Sequence, residues 1–162
     1  MPNEALDEID LRILEHMQKD ARLTNVELAE RVGLSPSPCL RRLRRLERDG
    51  VINGYMTFVD QTKVGLPVSV FVSVALKEQS ESALEEFEAA VSVLPEVMEC
   101  YLMTGASDYL LRVVTRDLAD YDRFLKQHLT SIPAIASIQS SFALKQVTYK
   151  TALPLVATDA RK

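Results

Sequence analysis

Apolar residues in the first fifty positions recur with the 3.6-residue period of α-helices. The first stripe follows Asp7 and consists of Ile9, Ile13, Leu14 and Met17. It predicts a helix that ends near Ala21. A second helix is predicted from Thr24 to Gly33, because Thr24-x-x-Glu27 forms a capping box and glycine favours the left-handed conformation that ends helices. Its inward positions are predicted to be Val26, Ala29 and Val32.

A three-residue turn ending at Ser35 leads into a third predicted helix. Ser35 suits the N-cap and Pro36 suits the first helical position. The apolar positions of this helix are Leu40, Leu43 and Leu46. A second face consists of Ser37, Arg41, Arg45 and Arg48, with Arg42 and Arg44 flanking it. Two short helices joined by a glycine-containing turn of three residues form a helix-turn-helix unit, which we expect to end at Gly50.

The distribution of charge favours DNA binding by this unit. The chain has a net charge of −4, but residues 31–54 contain six arginines against only Glu47 and Asp49. Guanidinium groups bind phosphates and pair with guanine edges, and a focused basic stripe can dock on DNA even when the whole molecule is acidic. The alternative is a solvated arginine face, although such faces usually mix both signs of charge. The candidate DNA-binding residues are Thr24, Asn25, Ser35, Ser37, Arg41, Arg42, Arg44, Arg45 and Arg48.

The rest of the chain shows two similar halves. The predicted elements are a strand at 51–59, a strand at 68–76, a helix capped by Ser82 and Glu85, strands at 97–103 and 109–115, a helix capped by Asp117, and a strand at 135–147. Two successive βαβ units predict a ferredoxin-like βαββαβ domain, so the fold class is α+β. We therefore expect a DNA-binding domain at 1–60, a hinge at 61–67 and a second domain at 68–162.

One face of such a four-stranded sheet is left without helices. The predicted residues of that face include Phe71, Tyr101, Leu111 and Phe142. An apolar face of this kind is unusual on a monomer, so the pattern predicts a dimer.

Composition excludes several other classes of protein. The chain has 162 residues, of which 47% are hydrophobic and 26% charged, as in globular proteins. No run of 18 apolar residues and no apolar leader is present, so we expect a cytoplasmic protein that associates with the nucleoid when DNA-bound, and no membrane partner. Cys39, Cys100, His16 and His128 are too few and too separated for a metal site. No nucleophile–base pair, paired carboxylate or phosphate loop indicates an enzyme.

Four motifs carry a resemblance to a known family over nearly the whole chain. They are Leu34-Ser35-Pro36-Ser37-Pro38-Cys39, Leu46-Glu47-x-x-Gly50-Val51-Ile52, Gly105-x-x-Asp108-Tyr109 and Ser140-Ser141-Phe142. With the domain order, they resemble the Lrp/AsnC family of bacterial and archaeal transcription regulators, whose first domain is winged-helix-like. The stretches Pro95-Glu96-Val97 and Phe142-Ala143-Leu144-Lys145, with Cys100, are similar to proteobacterial members that respond to leucine or other branched-chain amino acids.

The resemblance implies a second domain that senses an amino acid, with no cofactor, and dimers that assemble into octamers. The effector would lie between neighbouring dimers, near the loop at Gly105. The implied effector-binding residues are Met103, Thr104, Gly105, Ala106, Asp108, Tyr109 and Ser140. Serine at position 140 replaces the threonine common among relatives.

A free amino acid needs an acceptor for its ammonium group and donors for its carboxylate. We expect Asp108 to accept from the ammonium and amides at the Gly105 bend to donate to the carboxylate. Met103 favours leucine, another branched-chain amino acid or methionine as the effector. A plain turn aspartate is the alternative for Asp108. A DNA-compacting architectural protein without effector, or an amino-acid-metabolising enzyme, are the alternatives for the function.

Overall fold

The computed structural model describes residues 6–155, and by their contacts these divide into two compact units. The first unit comprises residues up to Thr57 together with the segment that starts at Thr148, and the second runs from Phe58 to Val147. The segment 148–155 therefore groups with the first unit, whereas the sequence assigned it to the second domain. No helix within residues 6–155 is long and apolar enough to cross a membrane.

Three helices form the first unit: α1 (Glu8–Lys19), α2 (Asn25–Val32) and α3 (Pro36–Arg48). The Thr24–Glu27 capping box and the left-handed Gly33 bound α2 as the sequence predicts. The helices enclose a core of Ile13, Leu14, Met17, Leu28, Ala29, Val32, Cys39 and Leu46. Val26, predicted to face inward, is 57% exposed. The prediction for Val26 is therefore wrong, because the short α2 buries only the narrow face formed by Leu28, Ala29 and Val32.

The chain after α3 has no regular structure up to residue 60, so the strand predicted at 51–59 is wrong. Val51 and Ile52 pack on the helical core instead of alternating along a sheet. The segment near Leu153 also belongs to this unit. The Gln18 amide accepts from the Leu153 backbone N–H at 2.6 Å and donates to its carbonyl at 3.2 Å, and Leu155 packs on the core.

The second unit is an antiparallel four-stranded sheet with two helices. Its elements are β1 (Val68–Leu76), α4 (Glu81–Ser92), β2 (Val97–Leu102), β3 (Tyr109–Thr115), α5 (Leu118–Phe124) and β4 (Ile135–Phe142). The strand order is β2-β3-β1-β4, which is the predicted βαββαβ arrangement. Ser80 rather than Ser82 caps α4, and β4 ends at Phe142 rather than at Val147. One π-helical turn, Leu125–Leu129, continues α5.

Strand register decides which side chains face the helices. Val70, Val72 and Val74 are fully buried, and Leu111 lies opposite Val72, so Leu111 belongs to this covered side. Phe142 lies opposite Val70, and its ring meets Tyr121 of α5 with centroids 5.3 Å apart. The sequence prediction that Leu111 and Phe142 lie on the open face is therefore wrong. Phe71 and Tyr101 do lie there and are 39% and 52% exposed.

Candidate functional site

The outer surface of α3 carries a single polar stripe. Its members are three or four residues apart, which places them on one side of the helix: Ser37, Arg41, Arg44 and Arg48. All four are exposed. Arg41 and Arg44 form no hydrogen bond or ion pair with any other residue in the part of the chain described, and Arg48 contacts only the neighbouring Asp49, at 3.1 Å. Three guanidinium groups are thus presented together to solvent.

Arg42 and Arg45, in contrast, turn toward α1. Arg42 Nη1 donates to Asp7 Oδ2 at 2.6 Å and to Asp10 Oδ1 at 2.9 Å, and Arg45 Nη2 donates to Asp10 Oδ2. The Asp10 side chain is fully buried, and these arginines give the buried carboxylate the cationic partners that such a group requires. We call Asp7, Asp10, Arg42 and Arg45 the α1–α3 ion cluster.

The local structure of α1 prepares the acidic half of this cluster. Asp7 caps α1, accepting from the Asp10 N–H at 2.8 Å, while the Asp10 carboxylate accepts from the Asp7 N–H at 3.2 Å. Burial opposes ionisation of Asp7, but the hydrogen bonds from the Asp10 amide and from Arg42 outweigh it, so the pKa of Asp7 is lowered. Hydrogen bonds to Asp7 and Asp10 raise the pKa of Arg42. The cluster therefore holds fixed, opposite charges between the two helices.

The remaining candidate DNA-binding residues sit at helix N-termini. Thr24 Oγ1 accepts from the Glu27 N–H at 3.3 Å and donates to its carboxylate at 2.8 Å, so it is engaged in capping α2. Asn25 Nδ2 donates to the Pro36 carbonyl at 2.8 Å and ties the start of α2 to the start of α3. Ser35 is exposed and occupies the N-cap of α3 without a side-chain capping bond.

In the second unit, the predicted effector loop follows β2 and is exposed from Met103 to Ala106. Met103 N–H donates to the Asp108 carbonyl at 2.7 Å, which closes the loop. Between these two residues, the backbone N–H groups of Thr104, Gly105 and Ala106 donate to no described residue. Gly105 has φ of 122°, a conformation that residues with a Cβ rarely adopt. The bend thus leaves several donors available.

Asp108 is already engaged within the unit. Its Oδ2 accepts from the Leu76 N–H at 2.7 Å, and its Oδ1 accepts from Gln79 Nε2 at 2.6 Å. The Asp108 N–H also donates to the Val74 carbonyl at 2.9 Å. These bonds fasten the loop to the end of β1, so the half-buried carboxylate serves the loop's structure.

The last two candidates, Tyr109 and Ser140, lie on different strands of the sheet. Tyr109 is buried against Phe87, with ring centroids 4.4 Å apart, and its hydroxyl donates to Glu88 Oε1 at 2.7 Å. Ser140 lies opposite Val72 on β4, with β1 between it and β3, and its hydroxyl contacts the Tyr121 hydroxyl. Within one chain, the structure groups residues 103–109 and leaves Ser140 apart.

Sequence reasoning missed Asp10, although a signal was present. Asp10 is in phase with Ile13, Leu14 and Met17, so it falls on the buried stripe of α1. A carboxylate on an apolar stripe requires a cationic partner, and α3 has arginines in excess. No group of three or more metal-ligating side chains is assembled within residues 6–155.

A unit that exposes arginines on the second helix of a helix-turn-helix, joined to a ferredoxin-like unit, defines a DNA-binding regulator with a ligand-sensing domain. Family models agree: a winged helix-turn-helix DNA-binding model matches residues 6–53, and the Lrp/AsnC ligand-binding domain matches residues 69–153. The chain belongs to the Lrp/AsnC family. It is an amino-acid-responsive, DNA-binding transcription regulator and not an enzyme.

Relatives match nearly the full chain. The Bkd operon transcriptional regulator of Pseudomonas aeruginosa is 49% identical over 150 residues, which covers 93% of this chain and 98% of that protein. The leucine-responsive regulatory protein of Escherichia coli is 40% identical, covering 90% and 89%. A transcriptional regulator of Neisseria meningitidis, solved as its L-methionine complex, has a TM-score of 0.88 at 42% identity, covering 92% of this chain and 96% of that one.

Proposed function

We propose that the chain reads DNA through Ser37, Arg41, Arg44 and Arg48, with Ser35 at the entry to the same helix. The observation that carries this proposal is the exposure of three guanidinium groups on one face of α3. The second helix of a helix-turn-helix unit lies in the major groove, where such a face meets phosphates and base edges together. On this proposal Arg42 and Arg45 do not contact DNA but position α3 through the α1–α3 ion cluster, and Thr24 and Asn25 hold the helix N-termini in place.

Salt dependence separates the two groups of arginines. A duplex selected by the wild-type protein from a random pool serves as the probe, and its affinity is measured by anisotropy over a salt series. Each lost phosphate contact lowers the slope of log K against log salt by about 0.9. We expect a decrease of about one for Arg41→Ala, Arg44→Ala or Arg48→Ala if each contacts a phosphate, or a loss of about 1–3 kcal/mol at one base position if it reads a base.

The control variants come from the same unit. Lys19→Ala removes an exposed cation that pairs with Glu15 on α1, and we expect no change in slope. Arg42→Gln is expected to lower affinity for all sequences without lowering the slope. A slope that falls by one in Arg42→Gln and stays constant in Arg44→Ala would reverse the assignment.

We further propose that leucine, another branched-chain amino acid or methionine is the effector, bound at the loop formed by Met103, Thr104, Gly105, Ala106, Asp108 and Tyr109. The relatives named for leucine response and the neighbour solved with L-methionine support this class of ligand. The undonated amides around Gly105 suit the ligand's carboxylate. Because Asp108 is occupied by Leu76 and Gln79, its part is to hold the loop, and any contact with the ammonium is secondary.

Calorimetric titration tests the loop. We expect leucine and methionine to bind, and leucinamide, which lacks the carboxylate, to bind at least tenfold more weakly. Gly105→Ala is expected to weaken binding, since φ of 122° strains a residue with a Cβ. No binding of any amino acid to the wild-type protein would leave the architectural alternative. Equal affinity for leucine and leucinamide would contradict the proposal that the loop amides bind the ligand's carboxylate.

We also propose that the open sheet face, with Phe71 and Tyr101, pairs two copies around a two-fold axis, and that these dimers assemble further, into octamers as the family resemblance implies. Ser140, which lies apart from the loop within one chain, would join the effector site only through such assembly. The paired α3 helices would then read two half-sites. Light scattering at micromolar concentration tests this point: a monomer would contradict it, and Phe71→Glu is expected to lower the mass.

A further inference from the structure

The first unit is joined to the second by two stretches of chain rather than by one. One crossing follows Thr57 and the other follows Val147. After Phe142, the last residue of β4, no helix or strand is formed up to the end of the described range. The segment 148–155 is nevertheless grouped with the first unit by its contacts. A small number of specific bonds therefore holds this segment in place.

The Gln18 side chain of α1 binds the backbone of Leu153 at two points. Its Oε1 accepts from the Leu153 N–H at 2.6 Å, and its Nε2 donates to the Leu153 carbonyl at 3.2 Å. A residue of a neighbouring antiparallel strand would exchange the same two bonds. If the amide were turned over, each of its ends would face a like group, so the two bonds together fix one orientation of Gln18. The amide is thus matched to the main chain of one residue.

Pro154 prepares Leu153 for this contact. A proline disfavours the helical conformation in the residue before it and favours an extended one. In an extended residue the N–H and the carbonyl point to the same side of the chain, which is the arrangement that a glutamine amide can bind. The Leu153 side chain itself is 70% exposed, whereas Leu155 packs on the helical core of the first unit. The sequence Leu153-Pro154-Leu155 therefore combines a main-chain contact with an apolar anchor.

The contact is made by the helix that also holds α3. Gln18 lies one turn after Leu14 and next to Met17, at the border of the buried face of α1. The same helix supplies Asp7 and Asp10 to the α1–α3 ion cluster. Because α1 is attached at both places, docking of the segment restrains α1 and, through the cluster, α3.

At its other end the segment continues from β4. Ser140, one of the implied effector-binding residues, lies on β4 close to its end at Phe142. A change in how β4 is held therefore reaches the segment through a few residues of main chain. The segment itself is fastened by the two bonds to Gln18 and by Leu155. Parts of a protein with so few buried contacts open and close without global unfolding.

From these features we infer that the segment 148–155 is a strap that couples the effector site to α3. When the strap is docked on Gln18 it restrains α1 and α3, when it is released it does not, and the effector shifts the balance between the two states. This inference rests on the proposal that the effector binds in the second unit. A ligand shifts such a balance only through its different affinities for the two states. A protein that cannot dock the strap should therefore bind DNA with one affinity, whether the effector is present or absent.

Substitutions on both sides of the contact test the coupling in the full chain. Gln18→Ala removes both bonds from α1, and Leu153→Pro removes the N–H from the strap. Leu153→Ala is the matched control, because it changes an exposed side chain and keeps the main chain that Gln18 binds. The probe is the duplex selected by the wild-type protein. Its affinity is measured by anisotropy with and without saturating leucine or methionine, and circular dichroism checks that each variant is folded.

We expect the amino acid to change the DNA affinity of the wild type and of Leu153→Ala by about fivefold or more, and that of Gln18→Ala and Leu153→Pro by less than about twofold. Calorimetry should show that both docking variants still bind the amino acid, since their effector loop is unchanged. Hydrogen exchange gives a readout without effector: the Leu153 amide should be protected in the wild type and exchange rapidly in Gln18→Ala.

The outcomes separate the strap from the effector site. A wild-type response that persists in either Gln18→Ala or Leu153→Pro would overturn the strap and leave the effector proposal standing. Rapid exchange of the Leu153 amide in the wild type would overturn docking itself. If no amino acid changes the DNA affinity of the wild type, the coupling and the effector proposal fail together. In that case, protection of the Leu153 amide would show that the segment only stabilises the first unit.

Discussion

Arginines of α3 in the first unit present three guanidinium groups to solvent, whereas the loop at Gly105 in the second unit presents backbone amides and keeps its carboxylate engaged. Each region also has charged side chains that the sequence predicts to contact a ligand and that the structure shows in internal ion pairs or hydrogen bonds. In the first unit these are Arg42 and Arg45, and in the second it is Asp108. The exposed neighbours of such anchored groups are therefore the better candidates for ligand contact.

The two regions also differ in the number of elements that contribute their candidate residues. The proposed DNA-binding face needs only one helix, since its members repeat every three or four residues. The predicted effector site draws on two strands, and Ser140 on β4 is separated from the loop by β1. One face can thus be assembled by helical geometry alone, while the other depends on further contacts.

The largest expected effect comes from breaking the α1–α3 ion cluster. Asp10→Ala leaves two guanidinium groups without their buried partner, so we expect the free energy of unfolding to fall by about 3 kcal/mol. Glu15→Ala on the same helix removes an exposed ion pair and should cost less than about 1 kcal/mol. Urea unfolding of both variants measures the difference, and equal losses would show that the cluster does not hold α3.

Asp108 should show a similar, smaller effect in the second unit. Asp108→Ala leaves the Leu76 N–H without its acceptor and frees Gln79, so we expect a loss of about 2 kcal/mol without any effector present. Asp122→Ala, which removes an exposed pair with Lys126, is the control and should stay within about 0.5 kcal/mol. If Asp108→Ala leaves the free energy of unfolding unchanged, Asp108 is again a candidate for direct contact with the ligand.

The contribution of Tyr109 to the stability of the second unit depends on pH. Burial, together with the hydrogen bond to Glu88, raises the pKa of Tyr109 above its usual value of 10.0. A raised pKa in the folded state contributes stability below pH 10 that is lost as the pH rises further. We expect Tyr109→Phe to cost about 1 kcal/mol at pH 7. This cost should shrink above pH 10 in urea unfolding, and a constant difference up to pH 11 would contradict the assignment.

The smallest expected effect is the difference in stability between substitutions at two N-cap residues, Thr24 and Ser35. Thr24 accepts a capping bond and Ser35 does not, although the sequence suggests a cap at both positions. Thr24→Ala should therefore cost about 1 kcal/mol and Ser35→Ala less than about 0.5 kcal/mol. Thermal unfolding of the two variants decides, and a larger loss for Ser35→Ala would mean that its hydroxyl caps α3 in solution.

Much of the fold could be predicted from local patterns. The alternation of valines gave β1 its observed bounds, Val68–Leu76, and Thr24, Glu27 and Gly33 fixed both ends of α2. Predictions failed where contacts between residues distant in sequence determine whether a strand forms or which way a side chain faces. Residues 51–59 have the composition of a strand, but no strand pairs with them within residues 6–155. Leu111 and Phe142 were predicted on the wrong face because strand register cannot be read from composition.

The sequence by itself determined the elements, their order, the family and the arginine-rich helix, because these depend on periodicity and on residues close together in the chain. The tertiary structure decided which arginines remain exposed, since that depends on Asp7 and Asp10 lying 32 to 35 positions away from their partners. It also decided that Asp108 anchors its loop to Leu76, 32 positions away. Such pairings arise only when separate elements pack, because a charge can be assigned its partner only after burial has brought the two groups together.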